Sequence, residues 1–393
     1  MNLINNLGKN EEKYLVLLYS GNYNYENEGN CDFVVNPNFF YLTKCCIPNC
    51  IFIFENNNLN IFLGEEYFKR DIKKIKYIKN LKKYTKKYDI LGNINDFIKN
   101  NYKNKINKIY LLNEIKKNIV NLGDFELDFS TLNSICNEKR QIKNKEELKN
   151  ISIACQETHK LFKMVIEQNM KLKFKNCQEI VNFLNKNIEN KFPYSFRAIC
   201  STGENSNILH YNFYDSKISK KNNLILLDIG LKINGYCSDI TRTFPGNNVF
   251  SSKELVIYNI VLETQKYAIS LLKPKAILIN IVDKTLLFLF KKLLDINLII
   301  NPPLKDEKKI EIVKKFMYHS LGHFIGIEVH DIGKIQVLEE NMVLTIEPGI
   351  YFSDRIFKKN KYLNIKEITK YKDIGGIRIE DTIQITNRGN KIL

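Results

Sequence analysis

Short apolar runs punctuated by turn residues fill the first third of the chain. Residues 14–21 (Tyr-Leu-Val-Leu-Leu-Tyr-Ser-Gly) form one such run ending in glycine, which predicts a buried strand. Phe39–Thr43 and Cys50–Phe54 read as further strands, with Pro48-Asn49 as the turn between them. Asn60–Gly64 and Ile109–Leu112 continue the set, and the lysine-rich segments between them are expected to be helices and loops. This alternation predicts a smaller α/β domain over residues 1–138. Around Asn137–Arg140 the apolar runs stop and long helical periods begin, so a second domain is set at 139–393. From Lys145 to Gln168 the residues Leu148, Ile151, Ala154, His159, Leu161 and Val165 mark one helical face. Ser251-Ser252-Lys253-Glu254 has the form of a capping box opening a helix through Leu272. A further helix is expected over Ile277–Ile296, entered after Pro274. Strand-like segments fill the remainder, which gives an α+β class with the chemistry carried on strands.

Composition changes this picture little. With 393 residues the chain can bury two cores, and a hydrophobic fraction of 44% excludes wholesale disorder. No uncharged apolar run approaches the ~18 residues of a membrane span. Met1–Asn10 lacks the basic, apolar and small-residue zones of a signal peptide, so a cytoplasmic protein is expected, with an organellar leader left open. The nine cysteines are scattered without the spacing of a zinc set and read as reduced, small apolar residues. A net charge of +17 could hold phosphates, but the lysines are spread through Asn- and Ile-rich segments without a recognition pattern. No specific nucleic acid and no membrane partner are expected.

Candidate chemistry gathers on a few apolar segments. Three of the five histidines, His319, His323 and His330, lie within His319–Asp331, and Gly322 and Gly326 interrupt any simple amphipathic helix there. Asp228 lies in the apolar run Leu224–Ile229, where a buried carboxylate costs several kcal/mol unless paired or metal-bound. Asn234-Gly235 is a hairpin signal, and a two-residue turn there sets Asp228 opposite Thr241 and Asp239 opposite Gly230, on one face. Two such carboxylates repel unless a cation intervenes; half-exposed turn acids are the bland alternative. Glu347 sits between Val343–Ile346 and Pro348-Gly349, at a strand's end. In Gly376–Glu380 alternation sets Arg378 and Glu380 on the face opposite Ile377 and Ile379, for which a salt-bridged solvent face is the competing reading. Oxygen donors plus one nitrogen suit manganese, cobalt or zinc in a two-metal site.

Asp228, Asp239, His323, Glu347 and Glu380 resemble, in order and context, the ligand positions of the pita-bread metallopeptidases, in particular the aminopeptidase P and prolidase branch. Gly203–Tyr211, Ser238–Pro245, His319–Asp331 and Gly376–Asp381 are similar to motifs of that branch, as is Asn36–Thr43 to its N-terminal domain. The resemblance implies a pita-bread catalytic domain with two divalent ions, manganese first and cobalt or zinc as alternatives. Asp239, His323, Glu347 and Glu380 would hold one ion and Asp228 the other, with Asp239 and Glu380 bridging. A metal-activated hydroxide would attack the bond before proline, with Glu347 moving the proton to the leaving nitrogen. His330 would stabilise the oxyanion, His210 and His319 would line the proline pocket, and Arg378 would support the carboxylates. Peptides with proline at the second position and a homodimeric state are the implied partners.

The branch divides by substrate length. Prolidases usually carry an arginine between the histidine segment and the Glu-Pro-Gly strand, whereas Ile332–Ile346 holds only Lys334, a poorer partner for a carboxylate. Tyr351–Asp354 and the insert that follows look prolidase-like, with Arg355 as an alternative cation. Aminopeptidase P activity is therefore expected, Xaa-Pro dipeptidase activity is the alternative, and an inactive peptide-binding scaffold is a more remote one.

Overall fold

A computed structural model describes residues 14–20, 35–55, 58–64, 85–103, 105–115, 119–123, 125–172, 174–188, 192–219, 223–333, 337–354, 356 and 360–393. The chain forms two compact units, Met1–Arg140 and Gln141–Leu393.

The first unit is built on a six-stranded mixed sheet: β1 (Tyr14–Tyr19), β2 (Cys50–Glu55), β3 (Asn58–Leu63), β4 (Thr85–Ile90), β5 (Lys108–Leu111) and β6 (Glu126–Asp128), in the order β4-β3-β2-β1-β5-β6. Successive residues of β1 go to opposite cores. Val16 and Leu18 join Phe39, Leu132 and Cys136, whereas Leu15 and Leu17 join Ile94, Ile98 and Tyr102. Both faces are covered by helices, which is why β1 and β2 read as unbroken apolar runs rather than alternating ones. The expected strands around Cys50, Asn60 and Ile109 are present.

Phe39–Thr43 belongs to helix α1 (Pro37–Thr43), not to a strand. Asn36 caps it by accepting a bond from Phe39 N, Pro37 occupies the first turn, and Lys44 closes the end in the left-handed conformation. These end signals decide a four-residue apolar run that by itself fits either element. Pro48-Asn49 accordingly joins a helix to a strand. Within the lysine-rich stretch expected to be helix and loop, residues 85–90 pair in parallel with β3.

The second unit opens with α3 (Lys145–Leu172), following α2 (Thr131–Gln141) of the first. The capping box at Ser251 is present, with Ser251 and Glu254 each bonded to the other's backbone, and it starts α4 (Ser252–Leu271). α5 (Leu278–Asp295) follows as expected. Ile257, Val261 and Ala268 of α4 and Ile281, Leu289 and Leu293 of α5 pack in one core with Leu344, Ile346, Ile377 and Ile383. The helices thus cover one side of the strands that carry the acids, the side taken by Ile377 and Ile379, and Arg378 and Glu380 alternate to the other.

Candidate metal centre

Two antiparallel strand pairs fix the acids. In the first, Asn234 and Gly235 both have positive φ (50° and 84°), as a hairpin turn matched to strand twist requires. The turn joins β9 (Lys232–Ile233) to β10 (Tyr236–Cys237), pairing Tyr236 with Ile233, and the register continues unchanged into β8 (Leu224–Ile229), itself paired with β7 (Ile199–Thr202), and β11 (Ile240–Pro245), setting Asp228 opposite Thr241. Asp239 lies one residue before β11. In the second pair, β12 (Val343–Ile346) and β13 (Gly349–Tyr351) are separated by Glu347-Pro348. Facing them, β14 (Gly376–Arg378) and β15 (Asp381–Ile385) are separated by Ile379-Glu380. Ile346 pairs with Asp381 and Gly349 with Arg378, so both strands break at the same level and the two glutamates face each other there.

The broken rungs find other partners. Glu347 N donates to Leu321 O at 2.8 Å, and Glu380 N donates to Thr241 O at 3.0 Å, which joins the two pairs. Opposed residues, and residues two apart, share a face. That rule delivers Asp228, Asp239, Thr241, Glu347, Arg378 and Glu380 to a single face. His323 arrives from a loop pressed onto β12: a Cβ at Gly322 would lie 1.9 Å from Thr345 O, so only glycine permits the approach. Thr345 then holds His323 through both backbone groups.

The imidazole Nε2 of His323 lies 3.3 Å from Asp239, 3.8 Å from Glu347 and 4.0 Å from Glu380. Its Nδ1 meets the Phe324 carbonyl at 3.1 Å, which can only accept, so the proton sits on Nδ1 and the Nε2 lone pair faces the acids. Asp239, His323 and Glu380 each offer an atom to a group spanning under 4.8 Å. Burial, then Glu380 and Asp228, push the Asp239 carboxyl well up. Burial and Glu380 do the same to Glu347, and burial with Asp228 raises Glu380 to about 7. Asp228 Oδ1, Asp239 Oδ1 and Glu380 Oε1 are buried without a hydrogen-bond donor among the described residues. Three orphaned carboxylate oxygens from three segments, beside an unprotonated imidazole nitrogen, fit divalent cations by charge and donor type.

Arg378 is buried, not on a solvent face, and donates to Asp228 Oδ2 at 2.7 Å. It also donates to Tyr351 Oη at 3.1 Å and Thr241 Oγ1 at 3.3 Å, while Thr241 donates to Glu380 Oε2 at 2.8 Å. His319 Nδ1 meets Ser320 O at 2.8 Å and its Nε2 meets Tyr351 Oη at 2.9 Å. Burial and Arg378 push the His319 pKa down to about 3, so the ring is neutral at pH 7. Donor direction is then forced along Arg378, Tyr351, His319 and the Ser320 carbonyl. The His330 and His323 rings meet at 81° with centroids 4.3 Å apart, and burial and His323 lower the His330 pKa. His210 is exposed, yet close enough for its charge to act on both His319 and His330. His159, given no role from sequence, lies 3.9 Å from Asp381. Lys334 and Arg355 lie outside the described residues. Sequence reasoning passed over Tyr351 and Thr241. Thr241 was recoverable, since it stands opposite Asp228 in the hairpin register, whereas no local signal marks Tyr351.

The α+β fold with this acid-lined face is that of the pita-bread metallopeptidases. Residues 147–387 match the model of metallopeptidase family M24, and the chain belongs to that family. It is 30% identical over 406 residues to the Leptosphaeria maculans protein named "Probable Xaa-Pro aminopeptidase PEPP", covering 93% of this chain and 70% of that one. It is 36% identical over 208 residues to the Xaa-Pro aminopeptidase of Haemophilus influenzae, covering 52% of this chain and 45% of the relative, less than half its length. The aminopeptidase PepP structure of Pseudomonas aeruginosa shares the fold with a TM-score of 0.80 at 22% identity, over 100% of this chain and 92% of the other.

Proposed function

We propose that the chain is an Xaa-Pro aminopeptidase, a metallo-aminopeptidase that releases the first residue of peptides with proline second. The three orphaned carboxylate oxygens carry the metal-dependent part of this reading, and the named relatives support the substrate class. Asp239, His323, Glu347 and Glu380 would hold one divalent ion, and Asp228 with the bridging Asp239 and Glu380 the other; manganese is the proposed metal, with cobalt or zinc as alternatives. Bound divalent ions supply Lewis acidity that polarises the scissile carbonyl and brings water into reach as a nucleophile near neutral pH. Glu347 takes up a proton and returns it to the leaving imino nitrogen. His330 donates to the developing oxyanion. His210 and the neutral His319 border the proline ring, with His319 oriented by Tyr351. Arg378 offsets the charge of Asp228 and keeps its free oxygen available. A homodimer in the cytoplasm completes the reading, checked by light scattering and localisation.

Longer peptides are the preferred substrates. A dipeptide's carboxylate needs a cation, and a charge-assisted bond to one contributes ~1.5–3 kcal/mol; Ile332–Ile346 contains no arginine to supply it. Metal analysis of the purified protein and kcat/KM for an Xaa-Pro dipeptide against an Xaa-Pro tripeptide test this. About two metal ions per chain and faster tripeptide cleavage are expected. A dipeptide preference would favour prolidase activity, and no bound metal with no cleavage would favour the scaffold reading.

A further inference from the structure

His330 sits in a loop anchored beside it by a buried ion pair. Asp331, the next residue, faces Lys143 with Oδ2 3.4 Å from Nζ, and the two side chains are 1% and 2% exposed. Neither is part of the acid cluster. Burying two charges in one pair costs several kcal/mol of desolvation each, so such a pair is weak evidence for stability and better evidence for fixed geometry. The surroundings are shaped to the pair. A Cβ at Gly326 would lie 2.0 Å from Asp331 Oδ2 and 3.0 Å from Lys143 Cε, so glycine is what leaves room for it. Asp331 Oδ1 accepts from Ile332 N at 2.8 Å, and Asp331 N donates to Phe324 O at 2.8 Å. That same carbonyl takes the Nδ1 proton of His323. The loop's near side is held by Cys237 N, which donates to Gly326 O at 2.7 Å. Lys143 is itself fixed just before α3, its N donating to Asn341 O at 3.0 Å.

We infer that Lys143 is a positioning residue for the hydrolysis: its buried pair with Asp331 fixes the turn that holds His330 against the His323 ring. This rests on the functional reading above. If it holds, removing the tether frees His330 while His323 keeps its own carbonyl partner, so turnover falls with little loss of metal. Loss of a well-aimed donor typically costs about 10²–10³ in turnover, and a misplaced one less.

A double-mutant cycle of Lys143→Met and His330→Ala separates this from a merely structural role, with kcat, KM and metal content measured on an Xaa-Pro tripeptide. Lys143→Met should lower kcat about 30-fold or more with KM changed less than about threefold and metal content kept. The double variant should be within about threefold of His330→Ala alone, because one tether serves one histidine. Lys143→Arg, which retains the charge, should recover most of kcat. Losses that multiply in the double variant, or a Lys143→Met enzyme within about threefold of the parent, would overturn the inference. Should Lys143→Met fail to fold, Lys143→Met/Asp331→Asn removes both charges of the pair together and carries the same cycle. Amide hydrogen exchange over residues 326–332 is the second readout, expected to quicken in the Lys143 variant. An inactive parent protein would refute the function instead, and unchanged exchange would then refute the tether by itself.

Discussion

At the scale of single residues, the site is a set of acids whose charges are only partly answered by protein. Arg378 answers Asp228, and Thr241 takes one oxygen of Glu380. What remains is an excess of negative charge facing one imidazole nitrogen. Asp239→Asn or Glu380→Gln should therefore lose at least one metal ion per chain and abolish peptidase activity, which metal analysis alongside an assay will show; full activity with unchanged metal would break the ligand assignment. Tyr351 does a different job. It is fully buried and is the link between Arg378 and His319. Tyr351→Phe removes one donor and one acceptor, so a stability loss of about 1 kcal/mol is expected. With His319 no longer aimed, turnover should fall about tenfold or more while metal is retained. Unaltered kinetics would reduce Tyr351 to packing. His330→Ala and His210→Ala should likewise lower turnover, by about 10²–10³ for the oxyanion donor, without metal loss.

At the scale of elements, register decides everything, because a one-residue slip in a strand reverses which face each side chain occupies. The turn at Asn234-Gly235 therefore governs chemistry from six residues away. Inserting one residue there would send Asp228 and Asp239 to opposite faces, and such a variant is expected to bind no metal even where circular dichroism finds it folded. Asn234→Ala is milder: a non-glycine residue at φ 50° without a local partner costs about 1–2 kcal/mol, read as a lowered Tm. Asp228, Asp239 and their shared face were legible in the sequence because a two-residue turn leaves no freedom in counting. The helix at Pro37–Thr43 was misread for the opposite reason. Its four apolar residues carry no period of their own, and the local signal that decides it, Asn36 capping Phe39 N with Pro37 in the first turn, lies outside that run. Residues 85–90 were missed because their strand identity comes from pairing with β3, not from their lysine-rich composition.

At the scale of the whole molecule, the acid cluster sets a pH dependence. Burial and Asp228 lift the Glu380 carboxyl to about 7, and Asp239 and Glu347 are raised too. The folded metal-free protein thus keeps protons that the unfolded chain releases near pH ~4.3. Its stability should fall as the pH rises from there through about 7, since the native state is then the one binding more protons. Divalent metal displaces those protons, so the gain in Tm on adding manganese should grow over the same range; a gain independent of pH would mean the acids are not the ligands. The pairing of Glu347 with Glu380, by contrast with the hairpin, was legible only through family resemblance, because no turn counts residues between strands so far apart. That distance has a kinetic consequence. Thr241 reaches Glu380 across 139 positions of chain, so the cluster exists only once most of the second unit has been threaded together. A metal ion can have little hold on the early, partly ordered chain, and acts as a late bolt instead of a seed. Stopped-flow traces with and without manganese should then share a refolding rate and differ in how slowly the finished protein comes apart.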